Sequence, residues 1–240
     1  MKHLTQKHIK KSSLRATAVS AMIVVISLMS GCGWGETYYC KSYMQSYALY
    51  ENIGVRRSLS TPSTKNIDLY VNPTHRVDFL SEGADKEMYN KICIEYGDTA
   101  YNREVLLDHG IMTQISSYPH FAAISVISNK DFDAEHPAGT PLNDIMTVLY
   151  SSAKDYVDRG YTQPEYSVGP DTEKLLSELG PDDLAMPTAM ALSFTQEPDE
   201  LNIHMLTITC TDKNGRTLTA QINYDFRLPE GYIGDYENLK

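Results

Sequence analysis

The strongest constraint in the sequence is a period-two pattern of apolar residues near the C-terminus, interrupted by one short turn. Apolar and polar residues alternate over 206–210 and again over 218–226, which places the apolar side chains on one face of each strand. Pairing Cys210 with Leu218 keeps both apolar sets on the same face and leaves a three-residue loop that ends in Gly215. Because the last position of such a loop is left-handed, glycine suits it. The sequence therefore predicts an antiparallel hairpin.

Other segments add strands and two helices to this pattern. Shorter alternations predict strands at 67–71, 77–79, 88–96 and 190–194, and the almost wholly apolar stretch 121–127 predicts a central strand covered on both faces. Thr140 followed by Pro141 is typical of a helix start, and apolar residues at helical spacing follow as far as Gly160. A second, shorter helix is expected at 171–179, before Gly180-Pro181.

These elements predict a mainly β fold. We expect an immunoglobulin-like β-sandwich over residues 66–228, with a helical insertion at about 141–179. The alternative is an α+β sheet covered by the long helix. Residues 32–65 are rich in tyrosine and serine and predict a tether, and residues 229–240 are expected to form a C-terminal tail.

The N-terminus has the features of an export signal. Residues 1–31 contain five basic residues and no acidic one, and an apolar run from Ala16 to Leu28 follows the basic part. That run is shorter than the roughly 20 residues of a membrane-spanning helix. It ends in Ser30-Gly31-Cys32, which is similar to a bacterial lipobox. The sequence thus predicts a lipoprotein signal peptide over 1–31 and acylation of Cys32, since two acyl chains give stable anchoring.

Several features together resemble a family of uncharacterised lipoproteins from Bacteroides-type bacteria. They are the lipobox, the tyrosine-rich segment behind it, the run from Asp131 to Gly139 with Leu142-Asn143-Asp144 after it, and the terminal hairpin. The similarity spans most of the chain after Cys32. It implies a lipid-anchored location in the bacterial cell envelope, at the outer membrane. It implies no functional residues, because no activity of the family is known.

The charge of the chain restricts its partners. The full sequence has a net charge of −10, and removal of residues 1–31 leaves 16 basic against 31 acidic residues, a net charge of −15. Such a surface repels nucleic acid and anionic lipid headgroups. We therefore expect no nucleic-acid partner, and membrane contact through the acyl chains alone.

Three cysteines remain after Cys32, and an exported protein meets oxidising conditions. The hairpin pattern places Cys210 on the core face, whereas the strand pattern over 88–96 turns Cys93 outward. Cys40, on the predicted tether, is able to reach an outward Cys93. We therefore predict a Cys40–Cys93 disulfide and a buried Cys210 thiol.

An acidic loop is the main candidate for a metal site. Asp131, Asp133 and Glu135 alternate with other residues and offer oxygen ligands of the kind that calcium prefers. The match to an EF-hand loop is poor, because the glycine is misplaced and no distal glutamate follows in register. The favoured interpretation is a solvated loop without a cofactor, and calcium binding is the alternative.

Catalytic motifs give little support for an enzyme. G-x-S-x-G, Walker A, G-x-G-x-x-G and H-E-x-x-H are absent, and the S-x-x-K match at Ser151–Lys154 lacks its companion motifs. We therefore expect no catalytic residue and a non-enzymatic binding module for a glycan, peptide or protein partner. The alternative is an envelope hydrolase with a carboxylate pair or a calcium-assisted acidic loop, since two carboxylates alone suffice for glycoside hydrolysis.

Overall fold

The computed structural model describes residues 35–58, 66–107, 110–162 and 172–228. The described residues form two compact units, of which the smaller takes in residues 35–39, 104–107 and 110–111. In the described residues, this smaller unit is built on the two-stranded sheet of β1 (Glu36–Cys40) and β4 (Arg103–Leu107). The predicted signal peptide, Cys32 and the C-terminal tail lie outside the described residues.

In its described residues, the larger unit contains two further sheets and two helices. Its elements, in chain order, are β2 (Ser46–Arg57), β3 (Ile67–Asp78), α1 (Gly83–Tyr96), β5 (Ile115–Tyr118), β6 (Phe121–Ser128), β7 (Met146–Ser152), α2 (Lys154–Asp158), β8 (Thr172–Leu175), a 3-10 turn (Leu176–Glu178), β9 (Pro187–Phe194), β10 (Ile203–Asp212) and β11 (Thr217–Asp225). The six-stranded sheet has the order β5-β2-β3-β9-β7-β8, and the three-stranded sheet has the order β11-β10-β6. The β2–β5 pair is parallel, and the other strand pairs of these two sheets are antiparallel.

The two larger sheets share one hydrophobic core. Ile67 and Val148 from the six-stranded sheet are fully buried in the same cluster as Val126 and Ile208 from the three-stranded sheet. Burial of one apolar face from each sheet is the packing of a β-sandwich. The predicted mainly β, sandwich-like fold is therefore confirmed.

A second hydrophobic cluster lies where α1 packs against the large sheet. Tyr89 and Ile92 of α1 are buried there with Tyr47 of β2 and Val77 of β3. The carboxylate of Asp98, just after the helix, is fully buried. It accepts hydrogen bonds from the backbone amides of Tyr43 and Met44 (2.7 and 2.8 Å) and from the Tyr161 hydroxyl (2.9 Å). This carboxylate therefore fixes the chain that leads into β2.

The C-terminal hairpin has the predicted geometry. Cys210 lies opposite Leu218 and Ile208 opposite Ala220. Gly215 closes the turn at φ +83°, a backbone conformation that favours glycine. The predicted register and turn are confirmed, and Cys210 is a buried free thiol as expected.

The strand predicted at 88–96 is wrong, because this segment lies in helix α1. The buried residues are Tyr89, Ile92, Cys93 and Tyr96. Their spacing of three, four and seven residues is that of one helix face. Cys93 consequently points into the core rather than outward.

The helical insertion predicted at about 141–179 is also wrong over most of its length. Residues 146–152 form strand β7, which lies between β8 and β9, and helix α2 is limited to Lys154–Asp158. Thr140 caps no helix, since its hydroxyl donates to the Pro137 carbonyl within a turn (2.7 Å). The helix predicted at 171–179 is replaced by β8 and the 3-10 turn.

Two further expectations require correction. The tether predicted over 32–65 is wrong for 46–57, which form β2 inside the large sheet. The central strand predicted at 121–127 is also wrong in its position, because this segment forms β6 at the edge of the three-stranded sheet. On its outer side, Pro141 forms only a single bridge to Ile127.

In the part of the chain that the structure describes, no helix has the length and apolar character needed to cross a membrane.

Candidate functional site

The larger unit has a cleft of about 1000 Å³, where β7 ends and β8 begins. Its walls come from the end of α1, the β5–β6 connection, α2, the loop before β9 and the β10–β11 turn. The lining includes the following charged or ring-bearing side chains: Glu95, Tyr96, His120, Lys154, Asp155, Asp158, Arg159, Asp182, Asp183 and Lys213. Ligand pockets commonly measure about 300–1,000 Å³, so this cleft is at the large end of that range.

His120 lines the cleft, and both of its ring nitrogens are engaged. Nε2 lies 3.2 Å from the Pro181 carbonyl oxygen, and Nδ1 lies 3.0 Å from the Tyr96 hydroxyl. Because a carbonyl only accepts, Nε2 carries the proton and Nδ1 accepts from Tyr96. Burial lowers the pKa of His120, against opposing contributions from Pro181 and Asp182. The ring is therefore a fixed part of the wall, and its burial favours the neutral form.

Lys213 joins the hairpin turn to the same wall. Its ammonium pairs with Glu95 and lies 4.5 Å from the centre of the Tyr118 ring. The Tyr118 hydroxyl donates to the other oxygen of Glu95 (2.8 Å). Burial, with a smaller contribution from Lys91, lowers the pKa of Lys213. The ammonium is thus balanced by a carboxylate and an aromatic face.

Two further carboxylates of the cleft are paired with lysines. Lys154 pairs with Asp158 across one turn of α2. Lys174 pairs with Asp183 at 2.8 Å, and Asp183 also accepts from the Gly180 amide (2.6 Å). Burial opposes ionisation of Asp183, but these two hydrogen bonds outweigh it and lower its pKa. The side chain of Asp182, in contrast, is 91% exposed and lies 3.7 Å from His120 Nε2.

The S-x-x-K match does not form a nucleophile and base pair. Ser151 is fully buried in β7, and the Lys154 ammonium is bound to Asp158. The neighbouring Ser152 hydroxyl donates to the Ala185 carbonyl. Ser152 and Lys154 are therefore part of the cleft wall, and Ser151 is buried behind it.

The acidic loop is organised around a histidine. Asp133 Oδ1 accepts from the amides of Glu135 and His136 (2.8 and 2.9 Å) and lies 2.7 Å from His136 Nδ1. His136 Nε2 lies 3.1 Å from Asp144 Oδ1. Burial alone would lower the pKa of His136, but the hydrogen bonds to both carboxylates outweigh it and raise the pKa. The imidazole thus lies between two carboxylates that favour its protonated form.

Of the predicted calcium ligands, Asp131 and Asp133 accept further hydrogen bonds within the protein, whereas Glu135 is exposed to solvent. Asp131 accepts from the Ala138 amide at 2.7 Å, and the second oxygen of Asp133 accepts from Gln196 at 2.8 Å. Glu135 is exposed. Across the described residues, no group of three or more histidine, cysteine, aspartate or glutamate side chains converges as a metal site. Calcium binding by Asp131, Asp133 and Glu135 stays a prediction.

The three cysteines that the structure describes are buried, and none forms a disulfide. Cys40, Cys93 and Cys210 are all free thiols, so the predicted Cys40–Cys93 disulfide is not formed in this structure. Burial raises the pKa of Cys40 to about 11 and that of Cys210 to about 12. Thiols with raised pKa values are weak nucleophiles.

The tyrosines serve mainly as core residues. Nine of them are buried: Tyr43, Tyr47, Tyr50, Tyr89, Tyr96, Tyr150, Tyr156, Tyr161 and Tyr224. They pack edge to face, as in the contact of Tyr43 with Tyr156 at 4.8 Å between ring centres. The tyrosine excess therefore reflects core packing more than a binding surface.

Sequence reasoning singled out Ser152 and Lys154, through the S-x-x-K match, and missed the other cleft residues. The lining comes from six separate regions of the chain, and most of them look like ordinary loop or helix surface on their own. A further local signal was the Lys154–Asp158 pair at a spacing of four residues. That spacing indicates an exposed helix turn rather than a site.

Comparisons with protein-family models, with curated proteins and with solved structures find no match for this chain. The function is therefore argued from the geometry of the cleft.

Proposed function

We propose that the protein is a lipoprotein of the bacterial cell envelope that binds a ligand in the cleft without transforming it. Acyl chains on Cys32 hold it at the membrane, with the outer membrane as its location. The observation that carries the binding part of this proposal is the cleft of about 1000 Å³ with charged groups from both walls. The lipobox similarity and the basic, then apolar, N-terminus support the anchoring part.

The state of the cleft side chains favours binding over catalysis. A general base needs a free lone pair within reach of the substrate proton. Both nitrogens of His120 are already engaged, and the ammonium groups of Lys154 and Lys213 are paired with carboxylates. Groups of this kind position a ligand more readily than they move a proton.

The binding part is tested by hydrogen–deuterium exchange on the full chain in detergent micelles. The panel contains maltohexaose, cellohexaose, xylohexaose, mannohexaose, hexagalacturonate and a hexapeptide of alanine, lysine and glutamate. We expect at least one compound to slow exchange in 150–159 and 180–185, the two segments that contribute most to the cleft. A panel in which no compound protects these segments would overturn the proposal.

The anchoring part is tested with Cys32→Ala. We expect the wild-type protein to fractionate with membranes and to incorporate a labelled fatty acid, because Cys32 carries the acyl chains. The variant should lose the label. A variant that keeps both the label and the membrane fractionation would contradict lipidation at Cys32.

An envelope hydrolase is the second candidate, favoured by the five carboxylates that line the cleft. A carboxylate pair across a cleft suffices for glycoside hydrolysis. Incubation of each hexasaccharide with wild type and with Asp182→Asn distinguishes the two functions. Products formed by wild type alone would replace the binding proposal with the hydrolase.

A further inference from the structure

Exposed apolar side chains are concentrated in the smaller unit. Ten large apolar side chains are exposed among the described residues, and three of them, Tyr39, Leu106 and Ile111, belong to this unit. The unit contains only 11 described residues. Single exposed apolar side chains are normal, whereas a group of them commonly marks a surface that meets a membrane or a protein.

Two of these side chains share one face of the two-stranded sheet. In β1, Tyr39 is 62% exposed, whereas its neighbour Cys40 is buried. In β4, Leu106 is 66% exposed, whereas its neighbour Leu107 is buried. Because successive side chains of a strand point to opposite faces, the two exposed side chains lie on the open face of the sheet. Ile111, also 62% exposed, follows β4 in the chain.

The chain keeps this face close to the predicted acyl anchor. Cys32 precedes Glu36, the first residue of β1, by four positions and precedes Tyr39 by seven. An extended chain spans at most about 3.6 Å per residue, so Glu36 lies within about 14 Å of Cys32 and Tyr39 within about 25 Å. Acylation of Cys32 would therefore hold this unit beside the headgroup layer of the membrane.

The chemistry of the three side chains suits that layer. Tyrosine is enriched where a membrane meets water, because its ring is apolar and its hydroxyl is polar. Leucine and isoleucine gain free energy when they leave water. The charged side chains among the described residues of this unit are Glu36 and Glu104, which are both acidic. Zwitterionic headgroups therefore fit this surface better than anionic ones, which attract basic segments.

We infer that Tyr39, Leu106 and Ile111 insert into the headgroup layer of the membrane and form a second, non-covalent contact beside the acyl chains. This inference rests on the proposed anchoring at Cys32 and adds the face of the protein that meets the lipid. The partner is a zwitterionic phospholipid surface. Side chains of this kind strengthen membrane binding in proportion to the apolar area that they bury.

Quenching of tryptophan fluorescence by lipid tests the contact. The background is Trp34→Phe, which removes the single tryptophan of the chain. Tyr39→Trp, Leu106→Trp and Ile111→Trp are each added to it, and the acylated proteins are reconstituted into phosphatidylcholine vesicles with or without brominated acyl chains. We expect bromine to lower each emission at least about twofold, because interfacial side chains reach about 5–10 Å into the boundary between headgroups and acyl chains.

Ile94→Trp in the same background is the matched control. Ile94 is an exposed isoleucine like Ile111, at 70% against 62%, but it lies on α1 in the larger unit. Bromine should leave its emission unchanged. All four substituted side chains are more than half exposed, so melting curves of the variants should match that of the background.

A second measurement avoids the introduction of a new aromatic ring. The triple variant Tyr39→Ser, Leu106→Ser, Ile111→Ser should speed the transfer of the acylated protein from donor to acceptor vesicles about tenfold, which corresponds to about 1.4 kcal/mol. Ile94→Ser should leave the transfer rate unchanged.

A fatty-acid label and vesicle flotation separate this inference from the anchoring on which it rests. Labelled protein that floats with the vesicles, but shows no quenching at the three positions or equal quenching at position 94, would overturn the inference and keep the anchoring. The exposed face would then be left to a protein partner. Protein that carries no label and does not float would overturn both.

Discussion

His136 lies at the centre of the acidic loop, where two carboxylates favour its protonated form. Its ring is nearly buried, and each nitrogen faces a carboxylate, Asp133 on one side and Asp144 on the other. The loop is further anchored by Phe132, which is fully buried and stacks on Phe194 at 5.5 Å. The negative charge that made this loop a candidate metal site is thus partly balanced by a side chain of the loop itself.

This arrangement predicts a pH-dependent contribution to stability. The pKa of His136 is raised in the folded state, so its stabilising effect is complete below the unfolded pKa of about 6.5 and is lost as pH rises through the folded pKa. We expect His136→Gln to lower the urea midpoint most at about pH 5.5 and least at about pH 9. Urea unfolding of wild type and variant across this range measures the difference.

His75→Gln is a suitable control, because His75 is about half exposed and pairs with Asp85 on the surface at 3.0 Å. Surface pairs contribute little to stability. A wild-type-minus-variant difference for His136→Gln that stays constant with pH would contradict the ion-pair interpretation.

Helix α1 allows a direct test of its assignment. Ile92 is fully buried in the second cluster, whereas Ile94 is 70% exposed. Ile92→Ala should lower the free energy of unfolding by about 2–5 kcal/mol through loss of packing. Ile94→Ala should change it by less than about 0.5 kcal/mol.

A strand over the same residues would place both isoleucines on one face. Similar losses for the two variants in chemical denaturation would therefore contradict the helix. The pair is well matched, since both changes remove the same atoms two residues apart.

The same helix shows why sequence reasoning failed here. Met88, Ile92, Ile94 and Tyr96 are all apolar at even positions and imitate strand alternation, yet Met88 and Ile94 are exposed. The true pattern includes Tyr89 and Cys93, whose burial depends on contact with β2 and β3. In contrast, the hairpin was predictable because its register depends on local alternation and on Gly215 alone.

Strand β7 shows the reverse mistake, in which a segment predicted as a helix is a strand. Residues 145–156 have apolar positions at helical spacing, but residues 146–148 are all buried. Both faces of β7 are covered, as is usual for a strand inside a sheet. Burial on both faces removes the alternation, and only the pairing with β8 and β9 determines the strand.

At the scale of the whole molecule, the cleft is a product of tertiary structure. The Lys213 amide donates to the His120 carbonyl (3.1 Å), which joins the turn of the terminal hairpin to the β5–β6 connection. The Lys213 side chain then reaches Glu95 at the end of α1. Because Lys213 is more than 90 positions from both His120 and Glu95, no spacing in the sequence indicates these contacts.

The net charge of −10 governs how the whole molecule responds to divalent cations. Calcium and magnesium both screen its self-repulsion, so each should raise the melting temperature slightly. Specific calcium binding by the acidic loop would add a larger shift through mass action. We expect equal, small shifts, because Asp131 and Asp133 already accept hydrogen bonds within the loop and from Gln196. Glu135→Gln is the informative variant, since it removes an exposed carboxylate and leaves the His136 pair intact. Scanning fluorimetry that gave a shift larger for calcium than for magnesium, and abolished by Glu135→Gln, would make the loop a calcium site.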